Sequence, residues 1–118
     1  MMEENMEGGL SPEITVQEVR SLLDAKTDFL LLDCREREEW DLVRIEGAQW
    51  LPMSEMQARL GELEQHKERR IVIHCHHGMR SLQVSTWLEG QGYRQCQSMS
   101  GGIDAWSVTV DPELPRYG

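Results

Sequence analysis

Cys75 is the residue in this chain whose type and setting best suit covalent chemistry. The β-branched run Ile71-Val72-Ile73 leads to it, Gly78 and Arg80 follow closely, and an amphipathic helix pattern begins at Ser81. A cysteine between a strand and a helix start lies where backbone N–H groups and the positive end of a helix dipole converge, which favours the thiolate form. The sequence therefore predicts a nucleophilic sulfur on a tight loop.

The residues after Cys75 suggest how that sulfur is held. Gly78 lets the backbone turn tightly. Arg80 can bind an anionic substrate or hold the loop through a buried carboxylate. His76 and His77 can add charge or donate a hydrogen bond when they are protonated.

A metal site is one alternative, because His74, Cys75, His76 and His77 are consecutive. Consecutive residues of an extended segment point to alternating sides, and the chain has no second cluster of cysteine and histidine at the spacing of zinc ligands. We therefore expect no metal.

A phosphatase is the sharper alternative. Cysteine phosphatases place five residues between their cysteine and their arginine, whereas four residues separate Cys75 from Arg80 and Ser81 occupies the place of that arginine. A shorter loop leaves less room for a tetrahedral phosphate, which disfavours this activity. A buried cysteine without chemistry is common, but it does not account for Gly78, Arg80 and a helix start together.

Strand and helix patterns alternate around this loop. The strands are predicted at the apolar runs 29–32 and 71–73 and at 93–99, with a brief extended piece at 50–52. Helices are predicted after the capping box at Thr15, at 35–43, after Ser54 with Met56, Leu60 and Leu63 inward, from Ser81 to about Gly90, and after Gly101-Gly102. The alternation predicts an α/β fold with a parallel sheet and sites at the carboxyl ends of its strands, where Asp33 and Cys75 lie.

Composition limits the possible partners and the compartment. The 118 residues suit one domain, and a net charge of −9 makes nucleic acid or an anionic membrane an unfavourable partner. Three cysteines at irregular spacing, with no basic and apolar leader, predict a cytoplasmic protein without a disulfide framework. We expect a flexible acidic tail at 1–10, a domain at 11–118 and a tail of extended chain at 111–118.

Four segments together resemble a known family. Cys75-His76-His77-Gly78-Met79-Arg80-Ser81 is similar to the active-site loop of single-domain rhodanese-like sulfurtransferases. Asp33-Cys34-Arg35-Glu36 with Glu39-Trp40, Ile45-Glu46-Gly47-Ala48 and Gly101-Gly102-Ile103-Asp104-Ala105-Trp106 resemble further elements of that family in the same order. The resemblance implies a rhodanese-like fold, with a parallel sheet flanked by helices on both faces.

The resemblance also implies an activity. Cys75 would accept a sulfane sulfur from a donor such as thiosulfate, become a persulfide and pass the sulfur to cyanide or a thiol, without a cofactor. Thioredoxin or a sulfur carrier protein are further candidate acceptors. The substrate would be bound by the loop residues His76, His77, Gly78, Met79 and Arg80, and the loop supported by Asp33, Arg35 and Ser81.

The sequence leaves three alternatives open. The loop contains no lysine, so Arg80 is its only strong cation unless the histidines are protonated, and a preference for a dianion such as thiosulfate is not secured. The alternative to an enzyme is a non-catalytic rhodanese-like module that binds a partner or senses oxidants through Cys75. Cys34 could resolve a persulfide, but a packing role is favoured because Asp33 and Cys34 should point in opposite directions.

Overall fold

The computed structural model describes residues 10–118 as an α/β structure built on five strands. The strands are β1 (Glu13–Ile14), β2 (Leu30–Asp33), β3 (Gln49–Trp50), β4 (Arg70–His74) and β5 (Gln95–Met99). The helices are α1 (Val16–Asp24), α2 (Arg37–Leu42), α3 (Met79–Gly90) and α4 (Gly102–Thr109), with 3-10 helices at Met53–Glu55 and Leu60–His66.

All strand pairs are parallel, in the order β1-β5-β4-β2-β3. This confirms the predicted α/β fold with a parallel sheet. β1 was not predicted, because two residues are too few to show a periodic pattern. Residues 1–9, which make up nearly all of the predicted acidic tail, lie outside the described residues, so the division into tail and domain stays a prediction.

The sheet carries a hydrophobic core on each face because side chains alternate along a strand. Leu30, Leu32, Ile71 and Ile73 belong to one core, which also takes residues of α3 and of the 3-10 segments. The intervening strand residues belong to the second core, which is built with residues of α1 and α4. Helical elements therefore cover both faces, as the family resemblance implied.

Helix α1 begins at the predicted capping box. The Glu18 N–H donates to Thr15 Oγ1 at 3.1 Å, and the Thr15 N–H donates to Glu18 Oε1 at 2.9 Å. Val16 and Val19 are buried on the sheet side of the helix. The capping box and the burial of the apolar face both specify a helix in this segment.

The segment after β3 differs from the prediction. Ser54 does not cap a helix; its hydroxyl donates to Glu36 Oε1 at 2.6 Å, and Pro52 takes the N-cap position of the first 3-10 helix. Gly61 lowers the helix propensity of this stretch. The stretch forms two 3-10 segments in place of one α-helix. The inward positions Met56 and Leu63 are nevertheless buried in the core.

The register of the two central strands fixes the place of the site. Asp33 of β2 pairs with His74 of β4, and the Cys34 N–H donates to the His74 carbonyl at 3.1 Å. Cys34 and Cys75 therefore leave the sheet side by side at its carboxyl edge. Among residues 10–118, no helix has the length and apolar character needed to cross a membrane.

Candidate functional site

Cys75 is the first residue after β4, at the carboxyl edge of the sheet. Helix α3 begins at Met79, two residues before the predicted Ser81, so Met79 and Arg80 lie in its first turn. Gly78 is the N-cap with φ +111°, a backbone conformation that side-chain-bearing residues rarely adopt. A Cβ atom there would also come within 3.2 Å of the Gly101 backbone nitrogen, which explains why glycine ends the loop.

The Cys75 sulfur accepts backbone hydrogen bonds from the start of α3. The N–H groups of Gly78 and Ser81 donate to Sγ at 3.1 Å and 3.3 Å. Sγ also lies 3.5 Å from the Ser81 hydroxyl oxygen, to which the thiol form can donate. These donors and the helix terminus stabilise negative charge on the sulfur.

The first turn of α4 holds the loop from the opposite side. The carbonyls of Cys75 and His76 accept from the N–H groups of Ile103 and Asp104, at 2.8 Å and 3.1 Å. Gly102 has φ +62°, and a Cβ atom there would collide with both of these carbonyl oxygens. The loop carbonyls are thus bound to α4.

The Ser81 hydroxyl contacts both the Cys75 sulfur and strand β5. Its buried hydroxyl lies 2.7 Å from the Ser98 hydroxyl oxygen and donates to the Gly78 carbonyl at 3.2 Å. Ser81 therefore contacts the loop, the sulfur and the neighbouring strand.

Arg80 is paired with Glu39 of α2. Its Nη1 and Nη2 donate to the two carboxylate oxygens of Glu39 at 2.7 Å and 2.8 Å, the planar two-bond arrangement that guanidinium and carboxylate favour. The Arg80 hydrogen bonds lower the pKa of Glu39 to about 2. Of the two roles considered for Arg80, the structure shows the carboxylate partner.

Asp33 and Arg35 form a fully buried ion pair at the carboxyl end of β2. The guanidinium of Arg35 donates to Asp33 Oδ1 at 2.9 Å and Oδ2 at 2.7 Å, and to the carbonyls of Val43 and Glu39. Burial alone would lower the pKa of Arg35, but the hydrogen bonds and charge of Asp33, together with Tyr117, outweigh it and the pKa is raised. The pair links β2 to α2 and to the segment that follows α2.

The histidines around Cys75 lie in different environments. His74 is fully buried with Nε2 3.7 Å from Asp33 Oδ2, and neither ring nitrogen has a hydrogen-bond partner among residues 10–118. Burial lowers the pKa of His74. Burial, followed by the neighbouring His77, also lowers the pKa of His76, which disfavours the protonated form in which this side chain could add charge to the loop.

Tyr117 also packs at the site, and no sequence pattern marks it as a site residue. Its hydroxyl donates to Glu39 Oε2 at 2.7 Å and accepts from Arg35 Nη1 at 3.1 Å. Its ring stacks on His76 with centroids 3.9 Å apart and an interplanar angle of 12°. Burial raises the pKa of Tyr117 to about 12, so the hydroxyl keeps its proton. The predicted tail has no regular structure, but it packs on the site.

Cys34 lies in the same core as Cys75 and is fully buried. Burial, and secondarily the charge of Cys75, raises the pKa of Cys34 far above its usual range. The thiol is therefore a packing group in this state. Within residues 10–118, no three side chains of His, Cys, Asp and Glu are grouped as metal ligands.

Known proteins are similar to this chain in sequence and fold. The model of the family described as Rhodanese-like domain matches residues 15–109. A sulfurtransferase of Allochromatium vinosum is 36% identical over 95 residues, covering 80% of this chain and 87% of the relative. The human single-domain sulfurtransferase TSTD1 is 27% identical, with a TM-score of 0.75 over 85% of this chain and 98% of that one.

Larger proteins also contain a matching region. A Mycobacterium tuberculosis protein named Probable adenylyltransferase/sulfurtransferase MoeZ is 33% identical over 104 residues, covering 88% of this chain. This chain spans only 26% of the length of that relative. The matched family model covers most of the chain. The chain belongs to the family of rhodanese-like domains.

Proposed function

We propose that this chain is a sulfurtransferase in which Cys75 accepts a sulfane sulfur and passes it to a nucleophile. The observation that carries the proposal is the pair of N–H groups, from Gly78 and Ser81, that donate to Sγ at the start of α3. Donors fixed by a helix start can stabilise a sulfur anion without reorganisation. These donors would serve any thiolate nucleophile, and the four residues between Cys75 and Arg80 are what disfavour phosphate as its substrate.

The first half of the reaction loads the cysteine. With thiosulfate as donor, the Cys75 thiolate attacks the outer sulfur, a new S–S bond forms, and the bond between the outer sulfur and the sulfonyl sulfur breaks. The electron pair of that bond leaves with sulfite, and Cys75 becomes a persulfide anion. Charge and electrons balance, so no cofactor, oxidant or reductant is needed.

The second half of the reaction transfers the sulfur from Cys75 to an acceptor. A thiolate or cyanide attacks the outer sulfur of the persulfide, and the Cys75 thiolate leaves. The N–H groups of Gly78 and Ser81 stabilise the leaving thiolate as they stabilised the attacking one. A low-molecular-weight thiol, thioredoxin or a sulfur carrier protein would supply the acceptor sulfur.

We also propose that the protein works in a reducing compartment, the cytoplasm. All three cysteines are free and buried in the described structure, and none is paired in a disulfide. Free buried thiols are typical of proteins kept under reducing conditions.

Turnover with thiosulfate and cyanide tests the proposal. Cys75→Ser should lower thiocyanate formation at least about a hundredfold, because the serine hydroxyl cannot carry the sulfane sulfur under these conditions. Cys96→Ala is the matched control, since Cys96 is a buried cysteine of β5. It should retain activity within about threefold. Equal rates for wild type and Cys75→Ser would overturn the enzyme proposal and leave a binding or sensing module.

A further inference from the structure

Three arginines of the site and its supporting elements are bound to carboxylates. Arg80 is bound to Glu39 and Arg35 to Asp33, as described above, and Arg116 donates to both oxygens of Asp104 at 2.9 Å and 3.0 Å. Asp104 in turn lies in the first turn of α4, which binds the loop carbonyls. Each of these three guanidinium groups thus has a carboxylate partner before any substrate arrives.

Glu39 is held firmly in this arrangement. Besides its two bonds with Arg80, it accepts the Tyr117 hydroxyl at 2.7 Å and the Glu36 N–H at 3.1 Å. Its side chain is 18% exposed, so solvent screens the pair only partly. Because Arg80 keeps the pKa of Glu39 near 2, the carboxylate stays charged throughout the physiological pH range. An incoming anion would have to compete with this carboxylate for Arg80.

That competition depends on the charge of the donor. Thiosulfate brings two negative charges to a thiolate and requires a free cation to offset them. A thiosulfonate or a persulfide presents the same sulfane sulfur with a single charge and requires less compensation. The N–H groups of the loop and the helix terminus remain available to both kinds of donor.

We propose that Glu39 is a specificity-determining residue, which by occupying Arg80 makes Cys75 favour singly charged sulfane-sulfur donors over dianionic thiosulfate. The inference rests on the proposed sulfur transfer through Cys75. The loading step balances for each donor: Sγ bonds to the sulfane sulfur and the bond from that sulfur to the rest of the donor breaks. The electron pair of the broken bond leaves with sulfite from thiosulfate, with a sulfinate from a thiosulfonate, or with a thiolate from a persulfide.

Methanethiosulfonate and thiosulfate are a matched pair of probes, because a methyl group replaces one oxyanion on the same sulfonyl centre. Loading of Cys75 is followed by rapid quench and intact mass for wild type and Glu39→Gln. The variant should load about tenfold faster with thiosulfate and change less than about twofold with methanethiosulfonate, because Arg80 is freed for the second charge. Added salt should reduce the gain with thiosulfate.

Three further variants separate charge from fold. Glu62→Gln removes an equal charge from an exposed pair with Arg59 and should leave the ratio of the two rates unchanged. In the double variant Glu39→Gln/Arg80→Gln, the faster loading of Cys75 with thiosulfate should disappear. Tyr117→Phe keeps the ring on His76 but removes the hydroxyl donor to Glu39, and it should shift the ratio the same way by about twofold.

One outcome would contradict the role of Glu39, and another would contradict the proposed function. If Glu39→Gln slows loading by the same factor with both donors, or leaves their ratio unchanged, Glu39 is only a structural partner of Arg80 and the inference is wrong. If no variant, wild type included, gains sulfur from either probe, the proposed function itself fails. These two failures are distinguished because wild type loads in the first and not in the second.

Discussion

Ser81 is the residue whose side chain connects the sulfur to the rest of the protein. Its hydroxyl contacts Sγ, the Ser98 hydroxyl and the Gly78 carbonyl. Ser81→Ala should slow persulfide formation by about three- to tenfold and lower the free energy of unfolding by about 1 kcal/mol, because the Ser98 hydroxyl loses its 2.7 Å partner and keeps only the Gly78 carbonyl at 3.4 Å. Ser85→Ala, at a buried serine on the same helix, is the control. Unchanged loading in Ser81→Ala would show that the backbone N–H groups suffice.

The sequence predicted the residues whose role depends on local spacing. Cys75, Gly78 and Arg80 could be recognised because the strand, the loop and the helix start are contiguous. The partners that complete the site could not be recognised. Glu39 lies 41 residues from Arg80 and Tyr117 lies 78 residues from Glu39, and contacts at such separations leave no periodic trace in one sequence.

At the scale of elements, α4 supports the loop as much as α3 does. Gly102→Ala should place a methyl group against the Cys75 and His76 carbonyls at a positive φ. We expect a loss of at least about 2 kcal/mol in the free energy of unfolding and slower sulfur uptake. Gly61→Ala is the control, because its Cβ would meet nothing within 4 Å, and it should be neutral or slightly stabilising. Equal stability of the two variants, measured by urea unfolding, would contradict this role.

Elements with strong local signals were predicted well, and weak ones were not. The capping box at Thr15 and the apolar runs of β2 and β4 specify their structures locally. The stretch after Ser54 has helical spacing of apolar residues, yet Pro52 and Gly61 shift it to 3-10 segments. The tail carries no periodicity at all, and its position is set by Tyr117 and Arg116 contacts made elsewhere in the fold.

At the scale of the whole molecule, His74 makes stability depend on pH. The unfolded state takes up a proton below about pH 6.5, whereas burial lowers the pKa of His74 in the folded state. Folding free energy is therefore lost as the pH falls from 7 to 5, by at most about 1.4 kcal/mol per pH unit for this group. The free energy of unfolding of His74→Val should fall less between pH 7 and pH 5 than that of wild type, although its value at pH 7 will also change.

Urea unfolding at pH 7 and pH 5 measures this difference. Ser98→Ala is the control, because it alters a buried polar position on the adjacent strand without removing a titratable group. The free energy of unfolding of this control should fall between the two pH values by the same amount as that of wild type. An unchanged pH dependence in His74→Val would show that His74 is protonated equally in the folded and unfolded states.

The central claim, that Cys75 carries sulfur, is tested most directly by intact mass and peptide mapping after incubation with thiosulfate and methanethiosulfonate in turn. The account predicts that the wild-type protein gains the mass of one sulfur atom, on the peptide that contains Cys75, and loses it when cyanide is added. Cys96→Ala should behave in the same way, and Cys75→Ser should gain nothing. A sulfur atom found on Cys34 or Cys96, or no gain from either donor, would contradict the account.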